Sequence, residues 1–148
     1  MLDQVKLKKT IKLTRRSRST QMEFLSGAGE MKQLIRTFDW ANHPLGPISG
    51  WPLSLQTALG ICLNSRFPML VWWGEDLRII YNDAWRPVLG KTKHPQALGS
   101  PGREVFPEVW DIVGAQFASV KATGQATWSD DLLLVLDRNG YTEETYFT

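Results

Sequence analysis

The sequence predicts an α+β fold: an antiparallel sheet with helices on one face and a helical lead-in before it. Three observations carry this. Apolar residues recur at helical spacing from Met31 to Leu63, the period switches to that of strands near Met69, and a second strand pair brackets Asn139-Gly140. Strands joined as consecutive hairpins, with helices between the pairs, argue for α+β rather than a parallel βαβ sheet.

The elements follow in order. Residues 1–22 mix sparse apolar positions with basic and Ser/Thr residues, and are read as a disordered basic arm. Met31, Leu34, Ile35 and Phe38 fall on one face of a helix, entered at Ser26-Gly27-Ala28-Gly29. The run Asn42-His43-Pro44-Leu45-Gly46-Pro47 stops it. Pro52 opens a second helix, where its missing N–H costs nothing, and Leu55, Ala58, Leu59, Cys62 and Leu63 form its apolar stripe.

From Met69 to Trp73 the run is continuously apolar and short, as in a buried strand. Gly74-Glu75-Asp76 is a turn. Leu77, Ile79 and Tyr81 then alternate with Arg78, Ile80 and Asn82 as a returning strand. Residues 82–106 hold Pro87, Gly90, Pro95, Gly99, Pro101 and Gly102, which admit only short helical turns, one of them N-capped by Asp83. A longer helix starts after Pro107, with Trp110, Val113, Phe117 and Val120 on one side and Gly124 as C-cap. Residues 128–137 and 141–148 make the last two strands. Asn139-Gly140 between them is the signature of a hairpin whose turn residues take positive φ, and Tyr146 and Phe147 point to opposite faces. The organisation is an arm at 1–22, a helical lead-in at 23–66 and a sheet-bearing core at 67–148.

Composition limits the function classes. The chain has 148 residues, 43% of them hydrophobic, enough for one domain with a core. One cysteine, Cys62, excludes an internal disulfide and fits a reducing compartment. Residues 1–18 carry a net charge of +6 and the remainder −4, so the basic character belongs to the arm. No stretch reaches the roughly 18 apolar residues that span a bilayer. No apolar run follows the basic start, as a secretory signal requires. A cytoplasmic location is expected.

Catalytic machinery is not evident. There is no Gly-rich nucleotide loop. His43 and His94 lie in Pro/Gly loops and read as surface or locally hydrogen-bonded residues. Asp130-Asp131 and Glu143-Glu144 are neighbours on strands, so each pair splits between two faces and makes no shared carboxylate site. Cys62 sits on a helical apolar stripe and reads as a small core residue. The aromatic residues Trp72, Tyr81, Trp85, Trp110, Phe117 and Trp128 converge on the inner face of the sheet, either as core or as the wall of a pocket. Asn82 and Asp130 are the polar candidates beside them.

Several strings resemble the N-terminal PAS domain of bacterial sensor histidine kinases: Pro44-Leu45-Gly46-Pro47, Gly50-Trp51-Pro52, Asn64-Ser65-Arg66-Phe67-Pro68-Met69, Trp72-Trp73-Gly74 and Tyr81-Asn82-Asp83-Ala84. Lys93-His94-Pro95-Gln96-Ala97-Leu98-Gly99 and the segment from Asp137-Arg138-Asn139-Gly140 to Thr148 extend the likeness, which covers residues 24–148. The resemblance implies a PAS-like fold and signal input: a module that senses a small molecule or mediates dimerisation and biases a downstream kinase, PAS or GAF domain. It carries no catalytic residue of its own. The pocket candidates are those read from the residues themselves: Trp72, Tyr81, Asn82, Trp85, Trp110, Phe117 and Trp128. No His occupies residues 107–123, where haem-binding relatives place one, and no Cys follows Asn82-Asp83, where flavin photosensors place one. Haem and flavin are therefore disfavoured, and no metal is expected.

The resembled fold adds a fifth strand between the first and fourth. The expectation is a truncated sheet, with two hairpins whose inner edges are unpaired and a domain only marginally stable alone. A homodimer through the helix at residues 29–39 is expected from its apolar stripe. The alternative function, from another class, is nucleic-acid binding led by the basic arm, which steep salt dependence would reveal.

Overall fold

The computed structural model describes residues 22–148, so the expectations for the basic arm, Met22 apart, lie outside the described residues. A 3-10 turn at Glu23–Leu25 precedes helices α1 (Glu30–Thr37) and α2 (Leu53–Asn64). Strands β1 (Leu70–Trp73) and β2 (Arg78–Tyr81) form an antiparallel hairpin. A 3-10 turn at Asp83–Trp85, helices α3 (Arg86–Lys93), α4 (Gly102–Val105) and α5 (Trp110–Thr123) follow, and then the antiparallel hairpin β3 (Leu132–Asp137) and β4 (Thr142–Phe147). The fold is mixed, with small antiparallel sheets.

Helix α1 sits where the apolar stripe predicts. Met31 and Ile35 are fully buried, and Leu34 and Phe38 pack half-buried against the same core. The stripe thus packs on the core of its own chain. Lys32 is buried too, and its ammonium donates to the Ser26 carbonyl and to Asn64 Oδ1, each at 2.8 Å, tying α1 to the end of α2. Helix α2 buries Leu55, Leu59 and Cys62 against the first hairpin.

The first hairpin departs from the expected half-buried alternation. Ile79, Ile80 and Tyr81 are all fully buried. Helix α2 packs on the hairpin. The outer edge of β2 is covered by residues 99–102, through bonds from Gly99 N–H to the Ile79 carbonyl (2.8 Å) and from Ile79 N–H to the Ser100 carbonyl (3.1 Å). A strand packed on both faces needs no polar side, so alternation disappears.

Two local expectations are corrected. Asp83 does not cap the turn that follows it. Asn82 does, its side chain accepting from Trp85 N–H, while the Asp83 carboxylate reaches away to Met31 N–H at 3.1 Å. The Asn139-Gly140 connection is longer than a two-residue turn, and of its residues only Gly140 has positive φ. Asn139 is recruited by tertiary contacts: its Oδ1 accepts from Lys91 N–H and its Nδ2 donates to Glu143. Helix α3 is two short helical turns meeting at a kink on Gly90 (φ 62°), as the Pro/Gly content predicts.

The two hairpins are not hydrogen-bonded to each other. Each rests on helical segments instead, β1–β2 on α2 and β3 on the turn Pro107–Val109. One apolar cluster runs from Met31 and Leu55 through Ile79 and Leu89 to Leu134 and Leu136. Among the described residues, no helix is long and apolar enough to cross a membrane.

Candidate functional site: an apolar cleft between the hairpins

The cleft is built by strand and helix periodicity. On β1, period two puts Leu70 and Trp72 on one face. On β3 the same period puts Leu132, Leu134 and Leu136 opposite them, with Phe147 beside these from β4. Helix α5 supplies Val113, Gln116 and Phe117 at i, i+3 and i+4. Trp85 and Val88 close one side, Phe106 and Val109 another. The half-open cleft holds a space of about 220 Å³. Among the described residues, no charged side chain lines it. An apolar cavity of about 150 Å³ is known to hold benzene, so this one suits a neutral molecule of one or two rings.

Trp72 is the centre of an aromatic group, 4.6 Å from the Phe117 ring, 6.1 Å from Phe106 and 6.2 Å from Trp110. Its ring lies directly on Gly102, where a Cβ would stand 1.9 Å from Trp72 Cζ3. The Gly at this position is what lets the indole lie flat in the wall.

Of the residues singled out in the sequence, Trp72, Trp85 and Phe117 line the cleft. Trp110 packs behind them, 6.3 Å from Phe117, without reaching the lining. Three others lie elsewhere, which corrects the expected convergence. Trp128 is 81% exposed, because β3 begins at Leu132 rather than at Trp128. Tyr81 pairs with Leu70 but lies one strand away from the opening. Asn82 is a buried pin. Its Nδ2 donates to the Cys62, Ser65 and Phe67 carbonyls, and its Oδ1 accepts from Met69 and Trp85 N–H. Asp130 is exposed. The lining residues not anticipated include Val88, Phe106, Leu132, Leu134, Leu136 and Phe147. The unbroken run Leu132-Leu133-Leu134-Val135-Leu136 hid the period that separates its buried and exposed faces.

A polar chain lies behind the cleft. The Tyr81 hydroxyl is 2.9 Å from His94 Nδ1, and His94 Nε2 is 3.0 Å from Glu30 Oε1. Glu30 Oε2 pairs with Arg86 at 2.9 Å. The partners assign the protons: a carboxylate only accepts, so Nε2 carries the hydrogen and Nδ1 accepts from the phenol. Burial raises the Tyr81 pKa, which keeps that phenol protonated. Sequence reasoning left His94 in a loop, because its partners are 13 and 64 residues away. His43, by contrast, holds its own loop: Nδ1 accepts from Leu45 N–H and Nε2 donates to the Gly99 carbonyl.

Among the described residues, two adjacent side chains carry buried donors with no partner, Trp85 Nε1 and Arg86 Nε. A buried donor left unpaired costs about 1–3 kcal/mol. The segment that carries Trp85 into the cleft wall is thus held at a local cost.

A second, shallower groove of about 370 Å³ lies beside Thr92, Gln96 and Asp137. Its two central charges, Lys93 and Glu108, pair with each other. Among the described residues, no group of three or more His, Cys, Asp and Glu side chains could hold a metal ion. The Cys62 thiol is pushed up to about 11 by burial, and it donates to the Met69 carbonyl. No protein-family model, curated protein or solved structure matches the chain.

Proposed function

We propose that this chain is a signal-input module of the PAS type that binds a small, neutral, apolar molecule between its two hairpins and regulates a histidine kinase domain of the same signalling protein. The observation that carries the reading is the charge-free cleft, bridged by two separate sheets and walled by Trp72, Trp85 and Phe117. The order hairpin, short helices, long helix, hairpin and the sequence resemblance support the family assignment. A module of this kind needs no catalytic group. It needs a site whose occupancy favours one conformation over another.

The test is titration of the full chain with indole, a neutral bicycle, followed by calorimetry and ligand-observed NMR. Saturable binding at one site is expected, with indole-3-acetate binding more weakly because no cation among the described residues lines the cleft. Val113→Trp, which fills the space from α5, abolishes binding. Absence of indole binding, or binding that Val113→Trp leaves unchanged, overturns the reading.

A further inference from the structure

The cleft wall and the anchorage of α1 are the same short segment. Trp85 and Val88 face the cleft. Between and beside them, Asp83 and Arg86 hold the first turn of α1. Asp83 Oδ1 accepts the Met31 N–H at 3.1 Å, and Arg86 pairs with Glu30 at 2.9 Å. His94, at the end of α3, adds a second hold on Glu30.

Met31 N–H lies in the first turn of α1, where helical amides have no intrahelical acceptor. The Asp83 carboxylate supplies that acceptor from across 52 residues. The same segment contains both unpartnered buried donors, Trp85 Nε1 and Arg86 Nε. Its present position therefore leaves polar groups unsatisfied, and a displacement that brings them to water or to a ligand acceptor recovers those bonds.

We infer that residues 83–88 couple the cleft to the N-terminal helix: a molecule occupying the cleft displaces Trp85, and the movement withdraws Asp83 and Arg86 from α1 and frees its first turn. This regulatory link rests on the proposed ligand reading of the cleft. Glu30 and Met31 are the receiving residues, and Asp83 is the latch. Helix α1 stays on the core through Met31 and Ile35, so what changes is the capping of its N-terminus rather than its presence. Coupling of this kind is reciprocal: whatever loosens the latch must raise affinity in the cleft by the same factor.

The experiment is amide hydrogen exchange, read by NMR on the full chain, with indole as the probe. The Met31 amide is the reporter, because its recorded acceptor is Asp83. Saturation with indole is expected to accelerate Met31 exchange by about 5- to 150-fold, the usual range of coupling between sites. Amides of Leu59 and Ile80 in the core are not accelerated, and slow as binding stabilises the whole fold. Asp83→Ala makes Met31 exchange fast with or without indole, and tightens indole binding by the factor measured in the wild type. Glu30→Gln, which removes the ion pair and keeps the side-chain shape, moves both readouts in the same direction by a smaller factor. If indole binds and Met31 exchange is unchanged, the coupling is wrong and the cleft reading stands. If indole does not bind at all, the cleft reading itself fails, and fast Met31 exchange in Asp83→Ala then shows only that the latch caps the helix.

Discussion

Gly90 and Arg138 meet so closely that a Cβ on Gly90 would stand 2.0 Å from the Arg138 carbonyl oxygen. The contact docks the tip of the second hairpin on α3. Around it, Thr92 N–H donates to the same carbonyl and Lys91 N–H donates to Asn139 Oδ1. Gly90 also has φ 62° and ψ −166°, a conformation that side chains other than hydrogen disfavour. Gly90→Ala is therefore expected to destabilise the chain by more than about 2 kcal/mol, combining backbone strain with the clash. Urea denaturation measures the loss. Rapid hydrogen exchange at Lys91 and Thr92 in the variant is the local signature, and unchanged exchange there contradicts the docking account.

Asn82 holds five backbone groups, three carbonyls and two amides, through one buried side chain. Asn82→Ala leaves them without their partner beside a side chain that is itself buried. A loss of about 3 kcal/mol or more is expected, since each unsatisfied buried group costs about 1–3 kcal/mol. Asn82→Asp keeps the acceptor but turns a charged oxygen toward three carbonyls. It should be worse than Ala at neutral pH and recover as acid protonates it. A thermal melt of the three proteins across pH decides between them.

His43 has its pKa lowered, chiefly by burial and further by the nearby Arg78 charge, against the Gly99 carbonyl bond that favours the cation. The unfolded chain, with a histidine near 6.5, then binds more protons than the folded one. Stability is full above 6.5 and falls as pH drops through 6.5 toward the folded value. His43→Gln should flatten that limb. Urea midpoints of both proteins at a series of pH values measure the difference, and parallel curves would remove His43 as the cause.

Cys62, fully buried with a thiol pKa of about 11, should be inert to iodoacetamide at neutral pH while the fold is intact. Its labelling rate then reports opening of the α2–hairpin contact. Rising denaturant should accelerate labelling in parallel with loss of tryptophan fluorescence. Labelling that is fast in native buffer would show that α2 lifts away independently.

The sequence by itself determined the elements whose signal is local. Residues at i, i+3, i+4 and i+7 define α1 and α2, Gly124 at φ 68° ends α5, and the alternation from Tyr141 onward puts Tyr146 out and Phe147 in. Tertiary structure decided what depends on partners distant along the chain. Asp83 gave up the adjacent turn because Asn82 already capped it and Met31 N–H needed an acceptor. Asn139 left the two-residue turn geometry because α3 offered Lys91 N–H. Trp128 fell outside the cleft because the ladder starts four residues later, where Leu132 pairs with Phe147. Spacing along the chain records which face a side chain takes, while the identity of the group it meets is set by packing, and packing alone brought Leu70, Phe117 and Leu134 around one space.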